Sequence, residues 1–215
     1  MSAHPPPAVL APRSAADMLR DLANAMDGDT VTLDEILSAL GNRGFGLLIL
    51  VLALPNAIPG PMIPGFSVPF ALGIIVMATQ ILQGQRRPLL PGWLRRRPIK
   101  RERFRNLIER ADPLLRRLER WFKPRPAGFL SRSTERPIAL GIILIVYALV
   151  LALPIPLSNG PQAFAICIIG LGLFEGDERV QTAGIMFGLA TTVLNAAIVT
   201  AGVQIFTHAL KIFGS

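Results

Sequence analysis

The tightest constraint on this chain is a set of uncharged apolar segments that look short for a bilayer and are separated by proline-rich runs that are themselves apolar. Gly44–Leu54, Val68–Leu82, Pro137–Leu153 and Pro161–Phe174 carry no charged residue. As helices they would reach ~16, ~22, ~26 and ~21 Å, against a hydrocarbon core of about 30 Å. The first two are divided by Pro55-Asn-Ala-Ile-Pro-Gly-Pro-Met-Ile-Pro64-Gly65, the second two by Pro154-Ile-Pro156-Leu-Ser-Asn-Gly-Pro161. Proline removes a backbone donor and biases its predecessor to extended geometry, so neither stretch is expected to be helical. Irregular backbone is tolerated within a membrane only where protein or a wet cavity satisfies it. Broken, re-entrant hairpins are the favoured reading; short loops between tilted helices are the alternative.

Charge is segregated accordingly. Of the 22 Lys and Arg residues, 17 lie between Arg86 and Arg136, a block with only 5 acidic residues, whereas residues 1–43 hold 3 basic and 6 acidic ones. The chain is 51% hydrophobic with a mean hydropathy of +0.48. A soluble protein scatters its charges; here the apolar stretches flanking the basic block are almost bare of them, as a lipid-facing surface requires. The block fits the positive-inside pattern better than a nucleic-acid surface and is expected to be cytoplasmic. Met1 to Leu10 has neither the cationic start nor the apolar stretch of a signal peptide. The chain is therefore expected to enter the membrane through its first apolar segment.

The two halves resemble each other. Leu52-Ala-Leu-Pro55 recurs as Leu151-Ala-Leu-Pro154, and beyond the breaks an offset of 92 places Pro69 on Pro161, Ala71 on Ala163, Ile74 on Ile166, Gly84 on Gly176 and Arg87 on Arg179. Duplicated halves are frequent in transport folds. If the basic block stays on one side, the repeats are parallel; if it crosses, they are inverted.

The remaining segments read as helices. Ser14–Met26 has an apolar face. Thr32 and Glu35 form a capping box ahead of the stripe Leu33, Ile36, Leu37 and Leu40, and Gly41 supplies a stop. These short helices are expected on a surface, membrane-bound or simply solvated. Lys100–Phe122 aligns Phe104, Leu107, Ile108, Ala111, Leu114, Leu115, Leu118 and Phe122 on one face. That pattern suits an interfacial helix attracting anionic lipid head groups, or a helix packed on the protein. Val180–Phe206 is long enough to span, and Gly184-x-x-x-Gly188 and Ala197-x-x-x-Ala201 permit close helix approach, within the molecule or in a homodimer.

No enzymatic constellation appears, and the chain is expected not to be an enzyme. His4 and His208 lack zinc spacing, Ser158 and Cys167 have no visible base, and Gly170-x-Gly172 lacks the context of a phosphate loop. Cys167 reads as a core thiol, and Glu175, Asp177 and Glu178 as a solvated turn rather than an acid/base cluster. No cofactor or metal site is expected. The breaks are more informative. Ser67 directly precedes the second helix of the first half and Asn159 nearly precedes that of the second, and both are good N-cap types. If those helices start at mid-depth, their positive dipole ends converge on an anion such as a phosphate, a carboxylate or a lipid head group. Asn56, Gln80 and Gln162 would line the same site. A closed core in which Ser67 and Asn159 merely cap helices is the competing reading.

The segments Arg43-Gly-Phe-Gly, LALP through Pro64-Gly-Phe-Ser67, Gln80-Ile-Leu-Gln-Gly84, Arg120-Trp-Phe-Lys-Pro-Arg125 and Leu153-Pro-Ile-Pro-Leu-Ser-Asn-Gly-Pro161 through Leu171-Gly-Leu resemble the ExoD family, over about Thr32 to Leu194. The resemblance implies a multi-pass protein of the bacterial inner membrane linked to exopolysaccharide synthesis. It supplies no catalytic residues. The expected architecture is an all-α membrane protein: a disordered tail (1–13), amphipathic helices (14–43), a first repeat (44–83), a basic cytoplasmic or interfacial segment (84–136), a second repeat (137–176) and a C-terminal membrane helix with its tail (177–215). The expected function is transport or binding of an anionic, lipid-linked head group. A non-transporting scaffold of the polysaccharide machinery is the alternative, and an enzyme acting on a lipid-linked sugar a weaker third.

Overall fold

The computed structural model describes residues 30–58, 65–100, 135–153 and 159–213, with isolated positions at 21, 102, 105 and 106. The interfacial-helix expectation at Lys100–Phe122, the helix at Ser14–Met26 and the centres of both proline-rich runs lie largely outside them.

Helix α1 (Leu33–Leu40) starts where the sequence says it should. The Thr32 N–H donates to Glu35 Oε2 (2.7 Å), the Glu35 N–H donates to Thr32 Oγ1 (3.3 Å), and the Gly41 N–H closes the helix on the Leu37 carbonyl. Gly41 sits at φ +54°, which favours glycine. An all-α chain was expected, but a two-stranded antiparallel ribbon precedes and follows this part of the fold. Strand β1 (Thr30–Thr32) pairs with β2 (Pro98–Lys100) in the register Thr30–Lys100, Val31–Ile99, Thr32–Pro98. The β-branched run Thr-Val-Thr favours extended backbone, and Val31 is fully buried.

Helices α2 (Arg43–Ala57), α3 (Ser67–Leu82), α5 (Glu135–Ala152) and α6 (Asn159–Glu175) form a four-helix bundle, with the single turn α4 (Gly92–Arg95) in the basic segment. The bundle's most extensive contacts join α2 to α6 and α3 to α5, across the two hairpins rather than within them. A Cβ on Gly46 would lie 2.6 Å from the Gly170 carbonyl oxygen, and one on Gly170 would lie 3.0 Å from the Leu50 nitrogen. This glycine pair lets α2 and α6 touch backbone to backbone, running antiparallel. Gly141 likewise meets Leu82 and the Ala78 carbonyl, joining α5 to α3. The C-terminal ends of α2 and α5 and the N-terminal ends of α3 and α6 therefore gather at one end of the bundle, its tip. Ile49, Ile74, Leu144, Leu151, Ile166 and Ile169 are buried below it.

Two helix boundaries differ from expectation. Pro55 does not end α2, which continues to Ala57, because a proline in the last turn removes one hydrogen bond without stopping the chain. Pro161 lies inside α6 and Pro69 inside α3, each as the third residue. In a first turn the missing N–H has no intrahelical partner to lose.

Helix α7 (Glu178–Phe213) runs back along α6 and past the tip. Its stretch Glu178–Gln204 is the one described helix long and apolar enough to cross a membrane, and only 22% of its most apolar window is buried in the molecule. That low burial separates it from the core helix of a soluble protein. Gly184 packs on Ile169 and the Ala165 carbonyl, while the Tyr147 ring fills the space beside Gly188 and its hydroxyl donates to the Ile185 carbonyl (2.6 Å). The Gly-x-x-x-Gly face thus packs within the molecule. Ala197 and Ala201 are exposed.

Candidate functional site

The tip collects amides and hydroxyls. Asn159, the first residue of α6, donates from Nδ2 to the Oγ of Ser67, the first residue of α3, at 2.9 Å. These two residues are 92 apart, the offset that relates the halves of the sequence. Neither plays the capping part expected of it as described: α3 has Phe66 at its N-cap position with no side-chain bond. The Ser67 hydroxyl is turned to Asn159 instead.

One turn into α6, Gln162 is fully buried; its Oε1 accepts from the hydroxyls of Thr191 (2.7 Å) and Thr192 (3.4 Å) on α7. Asn195, one turn beyond Thr191 on the same face, is 4% exposed, and Asn56 is 7% exposed. Asn56 continues the buried stripe of Phe45, Ile49 and Ala53 along α2. The antiparallel register fixed at Gly46 and Gly170 carries it to the level of Gln162.

What these groups lack is partners. Both Oδ1 and Nδ2 of Asn56, Oδ1 of Asn159, Nε2 of Gln162 and Nδ2 of Asn195 are buried with no hydrogen-bond partner among the described residues. A buried polar group left unpaired costs about 1–3 kcal/mol, so native proteins rarely keep one without a reason. Here several occur on three helices at one end of one bundle. The helix N-termini of α3 and α6 add their partial positive charge at the same place. The arrangement offers donors and acceptors for a polar ligand.

Of the residues expected at this site, Ser67 and Asn159 are in contact, and Gln162 and Asn56 lie at the same end of the bundle. Gln80 does not: it lies about 20 Å along α3, where its amide bonds both the N–H (2.7 Å) and the carbonyl (3.0 Å) of Leu89. It stabilises the start of the basic segment. Thr191, Thr192 and Asn195 were not anticipated. Their signal is faint, being polar positions at i, i+1 and i+4 in an otherwise apolar helix.

The far end of the bundle holds the acidic run expected to be a solvated turn. Glu175 and Asp177 are instead buried. Asp177 Oδ1 accepts from the N–H groups of Arg179 (2.8 Å) and Val180 (3.4 Å), capping α7. Near it, Arg87 donates to Ser38 Oγ (3.2 Å), and Arg95 approaches Asp34 at 3.8 Å on the surface.

A family model described as "Exopolysaccharide synthesis, ExoD" matches residues 15–197. The chain is 32% identical over 172 residues to an uncharacterized protein of Synechocystis, covering 80% of each chain. It is 32% identical over 191 residues to Protein ExoD of Rhizobium meliloti, covering 86% of this chain and 78% of that one. No solved structure matches it.

Proposed function

This chain belongs to the ExoD family and so to exopolysaccharide synthesis, and we propose that it serves there as a multi-pass inner-membrane binder or transporter of an anionic, lipid-linked head group held at the bundle tip. One observation carries the reading. The Asn159–Ser67 hydrogen bond joins the starts of two helices beside buried amides that have no partner. Two helix dipoles of about half a charge each favour an anion in a low-dielectric interior, and the amides complete its coordination without covalent chemistry.

Depth supports the same reading. Thr191, bonded to the tip at Gln162, is the central residue of the apolar stretch Glu178–Gln204. If that stretch crosses the bilayer, the tip lies near the middle, both hairpins return to the side they came from, and the basic segment sits at the cytoplasmic face. On this reading the two halves are parallel repeats, with Ser67 and Asn159 as equivalent residues meeting on their axis.

The test is complementation of an exopolysaccharide defect at matched membrane levels. Asn159→Leu removes a hydrogen bond worth about 1 kcal/mol, and its loss of function should far exceed that destabilisation. Ser67→Asp should be worse, because a fixed carboxylate would occupy the anion's place. Wild-type complementation by both variants would remove the anion site and leave a scaffold role ahead.

A further inference from the structure

The tip site is unequal on its two sides. Toward the basic segment it is backed by Ile49, Ile74, Leu144, Leu151, Ile166 and Ile169, each fully buried. Away from it, α7 is the one described element that continues. From Ala196 to Gln204 every residue is exposed, and Leu194, Ile198, Val199 and Val203 present a large apolar surface immediately beyond Asn195. A polar ligand at Asn56, Gln162 and Asn195 would thus have a dry core behind it and a bare apolar helix in front.

We propose that Asn56, Gln162 and Asn195 hold the phosphate head group of a lipid that enters from the leaflet opposite the basic segment, its acyl chains lying along the outer half of α7. The inference rests on the anion-site reading above and adds the ligand's source, its side of access and α7 as the third wall. Two features select a lipid over a free anion. The described residues of the site include no Lys, Arg or His, so a hydrated soluble phosphate would shed its water without meeting a full countercharge. A lipid phosphate gains transfer of its chains onto the apolar face of Leu194–Val203 at the same time. The unpaired donors and acceptors of Asn56, both 7% exposed as a residue and unbonded at each end, suit a phosphate that still carries a hydroxyl.

The experiment uses the full chain in neutral phosphatidylcholine nanodiscs doped with dioleoyl phosphatidic acid, with tightly retained lipid counted by native mass spectrometry. One phosphatidic acid per chain should be retained through delipidation. Asn195→Leu should weaken that retention at least tenfold. Val199→Asp leaves the amides untouched on an exposed position and should weaken it similarly, by setting a carboxylate among the chains. Millimolar inorganic phosphate should not displace the lipid. For access, Asn195→Cys in a Cys167→Ser background should be labelled by a maleimide-bearing phospholipid added to the outer leaflet of spheroplasts, and not when the same lipid is added to inverted vesicles. The reverse labelling would overturn the access route. If phosphate alone binds in detergent and displaces the lipid, the anion site stands and the lipid inference falls. If neither phosphatidic acid nor phosphate is held, both fall.

Discussion

Tyr147 illustrates how single residues set the α7 position that the tip depends on. Its ring lies where a Gly188 side chain would be, and its hydroxyl reaches the Ile185 carbonyl one turn earlier. The hydroxyl would otherwise be buried against apolar neighbours. Tyr147→Phe should therefore cost about 1 kcal/mol by losing one hydrogen bond. Gly188→Val should cost about 1–3 kcal/mol or more, because the added carbons overlap the ring. Both are read as shifts in thermal unfolding of the purified protein. Gly188→Val should also impair complementation, since Thr191 and Asn195 ride on the same helix, whereas Tyr147→Phe should retain it. Sequence alone pointed to close approach at Gly184 and Gly188. It could not name Tyr147, because the partner lies 41 positions away and no local pattern fixes which helix fills the groove.

Among the elements, α1 was the most legible, because its signals are local: Thr32, Glu35 and Gly41 lie within one short window. The Thr32 N–H holds the Glu35 carboxyl below the ordinary carboxylate range, the Thr32 hydroxyl contributing next. A lowered folded value means that the cap's contribution is present above the unfolded carboxylate value and is lost as pH falls through the folded one. Protection of the first-turn amides of α1 against exchange, taken relative to their unstructured rates at each pH, should fall on acidification through that range. In Glu35→Gln the same amides should exchange faster at neutral pH and show little of this dependence. The ribbon of β1 and β2 was not legible, since three-residue strands about 70 positions apart leave no periodicity to read. Helices α2, α3, α5 and α6 were found within a few residues of their ends, but Pro55 was assigned to the break although it belongs to the last turn of α2, and α6 starts two residues before Pro161. The candidate site followed the same division. Ser67 and Asn159 carried a local signal as helix-start residues; Thr191 and Asn195 acquire meaning only once α7 is laid against α6.

On the scale of the whole molecule, a bundle of 15- to 18-residue helices lies beside one helix of 36. The short helices are ringed by exposed apolar side chains such as Val51, Leu72, Val76, Ile142, Val146 and Leu149, while amides and hydroxyls collect inside. That inversion of a soluble protein's pattern agrees with the association with membrane indicated by α7 and by the family. The proposed function places the tip, with its unpaired amides, at mid-bilayer. That depth can be measured directly at Ile58, which ends the described part of the first hairpin and is 62% exposed. A spin label on Ile58→Cys, in a Cys167→Ser background reconstituted in bilayers of known thickness, reports depth through the balance of oxygen and water-soluble relaxants. A label within a few ångströms of the bilayer centre, about 15 Å from either head-group boundary, is the expected result. A label reading as interfacial or aqueous would contradict it.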